Sequence, residues 1–310
     1  MSEKIPIVSI ITINYNQLKV TTQLLDSIRN VSYKSLEVIL VDNASEVSPE
    51  QFIKDNYPEV TFIQSKKNLG FSGGNNLGIA EATGEYLFLI NNDTELQEGS
   101  IECLLDLFAE NSKLGIVSPL ICYHPDQHNH KKDLIQYAGT TPVSPYTARN
   151  TTIGSQSLDQ GQYEKPRPTA YVHGAAMMIP RRVVEEVGLM PEKFFLYYEE
   201  LDWCEQIRRS GYEIYVEPRA KIYHKESVSV GQLSTLKTYY LNRNRVFFMR
   251  RNKNDFRIFI FGLFLVFFTI PKNSLQYILK GQFDHLKAFL SGICWNFFNK
   301  EAKISYDAVD

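Results

Sequence analysis

The first 120 residues alternate between two hydrophobic periodicities. Short runs rich in β-branched and aromatic residues predict buried strands at Val8–Ile13, Leu36–Val41, Val60–Ile63, Tyr86–Ile90 and Gly115–Ser118. Between and after these runs, apolar residues at helical spacing predict helices at Leu18–Ile28, Pro49–Asn56, Asn75–Ala82 and Gly99–Glu110. Strand–helix alternation of this kind predicts an α/β fold with a doubly wound, mostly parallel central sheet.

The pattern changes twice further along the chain. From His124 to Pro168 it is irregular and rich in Pro, Gly, Ser, Thr and Asn, and long loops of this kind are usually functional. Regular structure is predicted again at Ala170–Pro180, Arg181–Val187, Glu199–Ser210 and Glu213–Val216. After about Gly231 the chain becomes basic and aromatic. We therefore expect a main domain over residues 1–232 and a helical extension over 233–310.

The basic segment is followed by an apolar one. Residues 237–257 hold seven basic residues and one acidic residue, and Ile258–Ile270 is an uncharged run of 13 residues. A helix needs about 20 apolar residues to cross a bilayer, so this run is expected to be too short to span one. Basic residues beside aromatic ones favour peripheral contact with anionic lipid; a buried core helix or a dimer interface is the alternative. The candidate lipid-facing residues are Lys237, Arg243, Arg245, Arg250, Arg251, Lys253, Arg257, Phe259, Phe261, Phe264, Phe267 and Phe268.

Composition narrows the class of protein. The 310 residues include 33 Lys and Arg against 35 Asp and Glu, so no broad basic surface is available and we expect no nucleic-acid partner. The four cysteines are scattered with no CxxC pair, which argues against a zinc ribbon or a disulfide framework. No apolar signal-like segment opens the sequence. A cytoplasmic location is therefore expected.

Polar side chains follow three of the predicted strands. They are Asn14-Tyr15-Asn16, Asp42-Asn43-Ala44-Ser45 and Asn91-Asn92-Asp93-Thr94. In open α/β sheets, ligands bind where loops leave the carboxyl ends of strands. No glycine-rich turn follows the first strand, which argues against a dinucleotide-binding dehydrogenase.

The third of these loops is a candidate metal site. In an extended segment Asn91 and Asp93 would point the same way and offer two oxygens to Mg²⁺ or Mn²⁺. The alternative is a turn in which both side chains satisfy local backbone groups.

These segments resemble family 2 glycosyltransferases of the Rossmann-like GT-A fold, in particular the rhamnosyltransferase-like branch that builds bacterial surface polysaccharides. The resemblance covers roughly residues 5–250 and depends on the order of several motifs. Besides the three loops, these are Asn68-Leu69-Gly70-Phe71-Ser72-Gly73-Gly74-Asn75, His173-Gly174-Ala175-Ala176, Phe195-Leu196-Tyr197-Tyr198-Glu199-Glu200-Leu201-Asp202-Trp203-Cys204 and Tyr223-His224.

The resemblance implies a nucleotide-sugar donor, a divalent metal (Mn²⁺ or Mg²⁺) and inversion at the anomeric carbon. By position, the implied donor-binding residues are Thr12, Asn14, Asp42, Asn68, Gly70, Gly74, Asn91 and Asn92, with the two glycines allowing close approach to the donor. The implied metal ligands are Asp93, Asn91 and His224. Asn91 stands where the family usually has an acidic residue, so Asp93 is the certain anion of the site.

The acidic cluster at the start of a predicted helix is the candidate for the catalytic base. By family position the base is Glu200, where the family more often has Asp, and Glu199 or Asp202 could take the role instead. Acids at this place also complement a helix dipole. His173, Gly174 and Trp203 are the implied acceptor-binding residues. Arg243 and Arg245 are candidates for stabilising the diphosphate leaving group, or else belong to a solvated or membrane-facing helix.

We therefore predict an inverting glycosyltransferase at the inner face of the cell membrane. The resemblance suggests dTDP-rhamnose or a UDP-hexose as the donor and a saccharide, possibly lipid-linked, as the acceptor. Two alternatives stay open: a nucleotidyltransferase, and a catalytically weak module that binds nucleotides or carbohydrates.

Overall fold

The computed structural model describes residues 5–126, 133–225 and 234–299. This part of the chain forms ten strands: β1 (Val8–Asn14), β2 (Leu36–Asp42), β3 (Val60–Gln64), β4 (Tyr86–Ile90), β5 (Thr94–Leu96), β6 (Leu114–Tyr123), β7 (Ile135–Tyr137), β8 (Arg167–Pro168), β9 (Ala176–Pro180) and β10 (Glu213–His224). It also forms ten α-helices: α1 (Leu18–Arg29), α2 (Glu50–Asn56), α3 (Gly70–Glu81), α4 (Ser100–Glu110), α5 (Arg181–Val187), α6 (Glu199–Arg209), α7 (Thr235–Asn252), α8 (Asp255–Phe264), α9 (Ile270–Leu279) and α10 (Phe283–Phe298).

All ten strands belong to one mixed sheet. The main path runs β3-β2-β1-β4-β9-β6-β10-β5, while β7 pairs with β6 and β8 with β10. The first four strands of this path are parallel, as predicted. The other half is more mixed than predicted, because β9 runs antiparallel to both β4 and β6. The α/β class is confirmed.

Helix α3 begins at Gly70, five residues before its predicted start. Glycine disfavours a helix by about 1 kcal/mol relative to alanine, so the local sequence hides this first turn. Tertiary packing explains the glycines: a Cβ atom on Gly74 would lie 2.8 Å from the Ile13 side chain, and one on Gly78 2.4 Å from that of Ile11. The glycines therefore let α3 lie directly against β1.

Strand β10 is three times as long as predicted, 12 residues rather than four. It pairs in parallel with the ten-residue β6 and passes a register shift between Glu217 and Lys221. Its last residues then pair with the three-residue β5, which sets His224 opposite Thr94. A strand of three residues is too short to show a periodicity, so neither β5 nor this pairing was predicted from the sequence.

The described residues divide into two compact units. The first comprises 5–126, 133–141, 151–195 and 199–225, and the second 142–150, 196–198 and 234–299. The predicted division near residue 232 did not include the two short segments 142–150 and 196–198 in the second unit. The whole sheet lies in the first unit, and α7–α10 lie in the second.

The second unit contains one long apolar helix. Residues Asp255–Leu279 run continuously through α8, a π-helical turn at Leu265–Thr269 and α9. By length and composition this helix could cross a membrane, and only 17% of its most apolar window is buried. The expectation that the apolar run is too short to span was wrong, because the helix continues past both ends of that run. Phe261, predicted to face lipid, is buried, whereas Phe259, Phe267 and Phe268 are exposed.

Candidate active site

Asp93 and His224 meet at the carboxyl end of the sheet. His224 Nε2 lies 3.1 Å from Asp93 Oδ1, and both side chains are buried. Among the residues that the structure describes, Asp93 Oδ1 has no hydrogen-bond partner, so the close approach is not a hydrogen bond. A buried carboxylate oxygen without a partner is costly. The pair has the chemistry of two ligands that face a shared cation.

The small number of potential protein ligands indicates what kind of metal site the Asp93–His224 pair could form. No cluster of three or more His, Cys, Asp or Glu side chains that could hold a metal occurs in the described part of the chain. Mg²⁺ and Mn²⁺ are commonly bound through one or two carboxylates with substrate phosphates completing the shell. Two protein ligands therefore fit a cation that binds together with a diphosphate.

The loop that carries Asp93 is a turn and not an extended segment. The amide and the hydroxyl of Thr94 both donate to the carbonyl of Asn91, at 3.2 Å and 2.7 Å. Asn91 and Asp93 therefore do not share a face in the way that alternate residues of an extended strand would. The Asn91 amide donates to Ala175 O (2.9 Å), which ties the turn to the segment that carries His173. The position of Asn91 as a ligand stays a prediction.

His173 and Gly174 link the Asp93–His224 pair to the acidic helix. The rings of His173 and His224 pack edge to face with centroids 5.9 Å apart. A Cβ atom on the next residue, Gly174, would lie 3.9 Å from the carboxyl carbon of Glu200. Burial lowers the pKa of His173 to about 3, with a smaller contribution from His224, so His173 is neutral at physiological pH. Glu200 thus reaches the same side of the first unit as the candidate metal ligands.

Three of the predicted donor-binding residues take part in a buried hydrogen-bond chain. Asn14 Nδ2 donates to Asp42 Oδ1 (2.6 Å), and Asn14 Oδ1 accepts from Thr21 Oγ1 (2.8 Å). Asn92 Nδ2 donates in turn to the Thr21 hydroxyl (2.9 Å). The side chains of Asn14, Asp42 and Asn92 therefore hold the ends of β1, β2 and β4 together. Thr12 is fully buried in β1.

Asn68 and Gly70 shape the turn that precedes α3. Asn68 Oδ1 accepts from the Gly70 amide (2.9 Å) and from Asn43 Nδ2 (3.1 Å). Gly70 has φ +71°, and a Cβ atom on it would lie 2.2 Å from the carbonyl oxygen of Phe195. The close neighbours of both Gly70 and Gly74 in the described chain are thus protein atoms rather than open donor space. A donor contact at these two glycines stays a prediction.

The chain also matches a protein-family model. The model described as "Glycosyl transferase family 2" matches residues 9–188, more than half of the chain. The chain belongs to glycosyl transferase family 2. This membership removes the nucleotidyltransferase alternative.

Named relatives of this glycosyltransferase transfer different sugars. It is 28% identical to the low-salt glycan biosynthesis hexosyltransferase Agl10 of Haloferax volcanii, over 76% of this chain and 73% of that one. It is 24% identical to the N-acetylglucosaminyl-diphospho-decaprenol L-rhamnosyltransferase of Mycobacterium tuberculosis, over 75% and 79%. The mannosyltransferase PcManGT of Pyrobaculum calidifontis, solved with GDP-Man and Mn²⁺, matches with a TM-score of 0.58 and 16% identity over 97% and 77%. The fold is therefore GT-A.

The three acids in the first turn of α6 differ in exposure. Glu199 is 2% exposed and Asp202 is fully buried, where it accepts from Gln206 Nε2 (2.8 Å). Glu200 is half-buried, which makes it the most accessible residue of the three. Trp203 does not fit its predicted role at the acceptor, because it is fully buried and its Nε1 donates to Gly188 O (3.0 Å). Trp203 belongs to the core of the glycosyltransferase.

Arg243 and Arg245 are packed inside the second unit. Arg243 is 7% exposed, and its guanidinium lies over the rings of Tyr240 and Trp295 at 4.6 Å and 4.7 Å. Arg245 donates to the carbonyl of Thr147, and burial lowers its pKa. Both side chains are used for packing here. Their predicted contact with the leaving diphosphate stays a prediction.

Two residues next to the Asp93–His224 pair were not predicted from the sequence. Gln136 lies in the irregular segment and contacts His224 Nδ1 at 2.7 Å. The amide of Lys225 donates to the carbonyl of Asp93, and its ammonium pairs with Glu95 (2.7 Å). Burial opposes ionisation of Glu95, but hydrogen bonds and charge interactions with Lys225 and His124 together outweigh it, and the pKa of Glu95 is lowered. Lys225 could have been considered, because it directly follows the predicted metal ligand His224 in the sequence. No sequence pattern pointed to Gln136.

Proposed function

We propose that this glycosyltransferase moves a sugar from a nucleotide-sugar donor to a hydroxyl group of a saccharide acceptor, with inversion of the anomeric carbon. The observation that carries the proposal is the 3.1 Å approach of His224 Nε2 to an unpartnered buried oxygen of Asp93. Glu200 next to Gly174 supplies a carboxylate on the same side of the fold.

Asp93 and His224 would hold a divalent ion, Mn²⁺ or Mg²⁺, with Asn91 as a further predicted ligand. A bound ion neutralises charge that develops on the diphosphate as the glycosyl bond breaks. The Mn²⁺ in the structure of PcManGT supports this assignment. The neutral His173 beside the pair adds no competing positive charge.

Glu200 is proposed as the catalytic base. In an inverting transfer the acceptor oxygen attacks the anomeric carbon while a carboxylate takes its proton. The half-buried Glu200 meets that need better than Glu199 or Asp202, whose side chains are enclosed. His173 and Gly174, which stand beside Glu200 and His224, are the proposed acceptor wall.

The donor is proposed to be dTDP-rhamnose or a UDP-hexose, and the acceptor a lipid-linked saccharide. The mycobacterial relative supports this choice, since its name specifies an L-rhamnosyl group and a diphospho-decaprenol carrier. The nucleoside is proposed to lie against the loops that Asn14, Asp42 and Asn68 organise.

We further propose that the second unit contacts a membrane at its cytoplasmic face. Three large aromatic side chains of the long apolar helix, Phe259, Phe267 and Phe268, are more than 60% exposed. Exposed Arg257 stands at the beginning of the same helix, where it can meet an anionic head group. Contact with the bilayer would place the enzyme next to a lipid-linked acceptor.

The deciding experiment is a transfer assay with Mn²⁺, a panel of dTDP- and UDP-sugars, and the variant Glu200→Gln. Removal of a general base lowers turnover by about 10²–10⁴-fold, and donor binding by calorimetry should stay unchanged. Glu205→Gln is the matched control: it makes the same change on the same helix, at a carboxylate that accepts from Tyr171 Oη (2.7 Å).

The control variant should keep turnover close to that of the wild type. If Glu200→Gln also keeps it, the base assignment fails. If the wild type transfers no sugar and binds no donor from the panel, the proposed function fails as a whole.

A further inference from the structure

Gln136 contacts the ring nitrogen of His224 that does not face Asp93. Its Oε1 lies 2.7 Å from His224 Nδ1, and the side chain of Gln136 is 7% exposed. No charged group is involved in this contact. The imidazole of His224 is therefore held between a carboxylate oxygen at Nε2 and a carboxamide oxygen at Nδ1.

A β-bulge places Gln136 in this position. In the antiparallel pair of β6 and β7, Ile121 pairs with Tyr137 but Cys122 pairs with Ile135, so Gln136 is the extra residue. Bulges are frequent next to active sites, where they redirect a side chain. The bulge and the burial of Gln136 together hold its side chain in contact with His224.

The contact bears on which nitrogen of His224 carries the proton. Gln136 presents its carbonyl oxygen, which only accepts hydrogen bonds, so the contact favours a proton on Nδ1 and a lone pair on Nε2.

We infer that Gln136 is a positioning residue that fixes His224 in the Nδ1–H form and so keeps Nε2 ready to bind the divalent ion with Asp93. This inference rests on the proposed function, since it assigns a purpose to the lone pair of Nε2. Histidine ligands of metals usually donate their second N–H to such a partner, and loss of that partner weakens metal binding by about 10–100-fold.

The first experiment measures Mn²⁺ binding to the full chain by electron paramagnetic resonance, with dTDP or UDP present to supply the diphosphate and without any sugar donor. Gln136→Leu removes the acceptor and should weaken Mn²⁺ binding about 10–100-fold. Gln136→Glu keeps an acceptor at the same place and should retain binding close to that of the wild type. Thermal unfolding of each variant reports whether it is folded. Wild-type affinity in a folded Gln136→Leu variant would overturn the inference.

The second measurement does not depend on any change at Gln136. Nitrogen-15 chemical shifts of the metal-free wild type distinguish the two neutral forms of each of the six histidines, and comparison with His224→Gln assigns the signal. We expect the Nδ1–H form of His224; the Nε2–H form would overturn the inference. If the wild type shows the Nδ1–H form but binds no Mn²⁺ with dTDP or UDP present, the metal part of the proposed function is what fails.

Discussion

The carboxyl carbon of Glu200 lies 3.9 Å from the position that a Cβ atom would occupy on Gly174. The ring of Phe71 lies at almost the same distance, 3.8 Å, from this position. The space in front of Glu200 is thus bordered by a residue without a side chain. His173, the preceding residue, packs against the ring of His224.

Gly174→Ala should therefore impair catalysis while the fold is preserved. The added methyl group would make ordinary van der Waals contacts, so we expect the melting temperature to change by no more than about 2 °C, as for a substitution within ±0.5 kcal/mol. The same methyl group fills space beside the proposed base, and KM for the acceptor should rise. Gly262→Ala is the control, because a Cβ atom on Gly262 would meet no described atom within 4 Å apart from the backbone of its own helix. Unchanged acceptor kinetics in Gly174→Ala would contradict the assignment of this wall.

Gly70→Ala and Gly99→Ala separate backbone strain from steric exclusion. Both glycines have a left-handed φ, +71° and +76°, but a Cβ atom on Gly99 meets no described atom within 4 Å. Gly99→Ala should lower the free energy of unfolding by roughly 1–2 kcal/mol, the cost of that conformation. Gly70→Ala should lose about 1–3 kcal/mol more, because its methyl group would overlap the carbonyl of Phe195. Urea unfolding of both variants checks this order, and equal losses would show that the contact with Phe195 can relax.

Glu37 makes the stability of the first unit depend on pH. Partial burial opposes its ionisation, but hydrogen bonds from Ser9 and Thr83 outweigh this effect and lower its pKa below the ordinary 4.5. A carboxyl group with a lowered pKa stabilises the folded state above its unfolded pKa, and this contribution is lost as pH falls through the folded pKa.

The stability difference between wild type and Glu37→Gln should consequently be largest near neutral pH and shrink below about pH 4.5. Urea unfolding at several pH values measures it. Glu81→Gln, at an exposed position of α3, should show a much smaller difference throughout. A Glu37→Gln difference that does not depend on pH would mean that the loss is one of packing rather than of charge.

Phe267→Ser combined with Phe268→Ser should weaken binding to lipid vesicles. Burying one phenylalanine is worth about 1.5–3 kcal/mol, so loss of two exposed rings should reduce partitioning into phosphatidylglycerol vesicles by at least about tenfold. Phe52→Ser, at an exposed aromatic position of α2, is the control. Binding that is equal on neutral and anionic vesicles would argue against a role for the basic residues. Resistance to alkaline carbonate extraction from cell membranes would show that the helix spans the bilayer.

The sequence determined the α/β class and the family, because both are encoded locally. Buried strands such as Val8–Asn14 carry their periodicity within a few residues, and the motifs around Asp42, Asp93 and His224 keep their order in the chain whatever the fold does. The local sequence pattern also predicted Glu200 at the beginning of a helix, and the structure shows it in the first turn of α6.

Only the tertiary structure decided which side chains meet. Asp93 and His224 are 131 positions apart, and their contact depends on the pairing of a three-residue strand with the end of β10. Gln136 reaches His224 through a bulge in an irregular segment, and Trp203 is enclosed in the core. Strand pairing and burial join residues that are distant in sequence, and no periodicity along one chain records which of them will be neighbours.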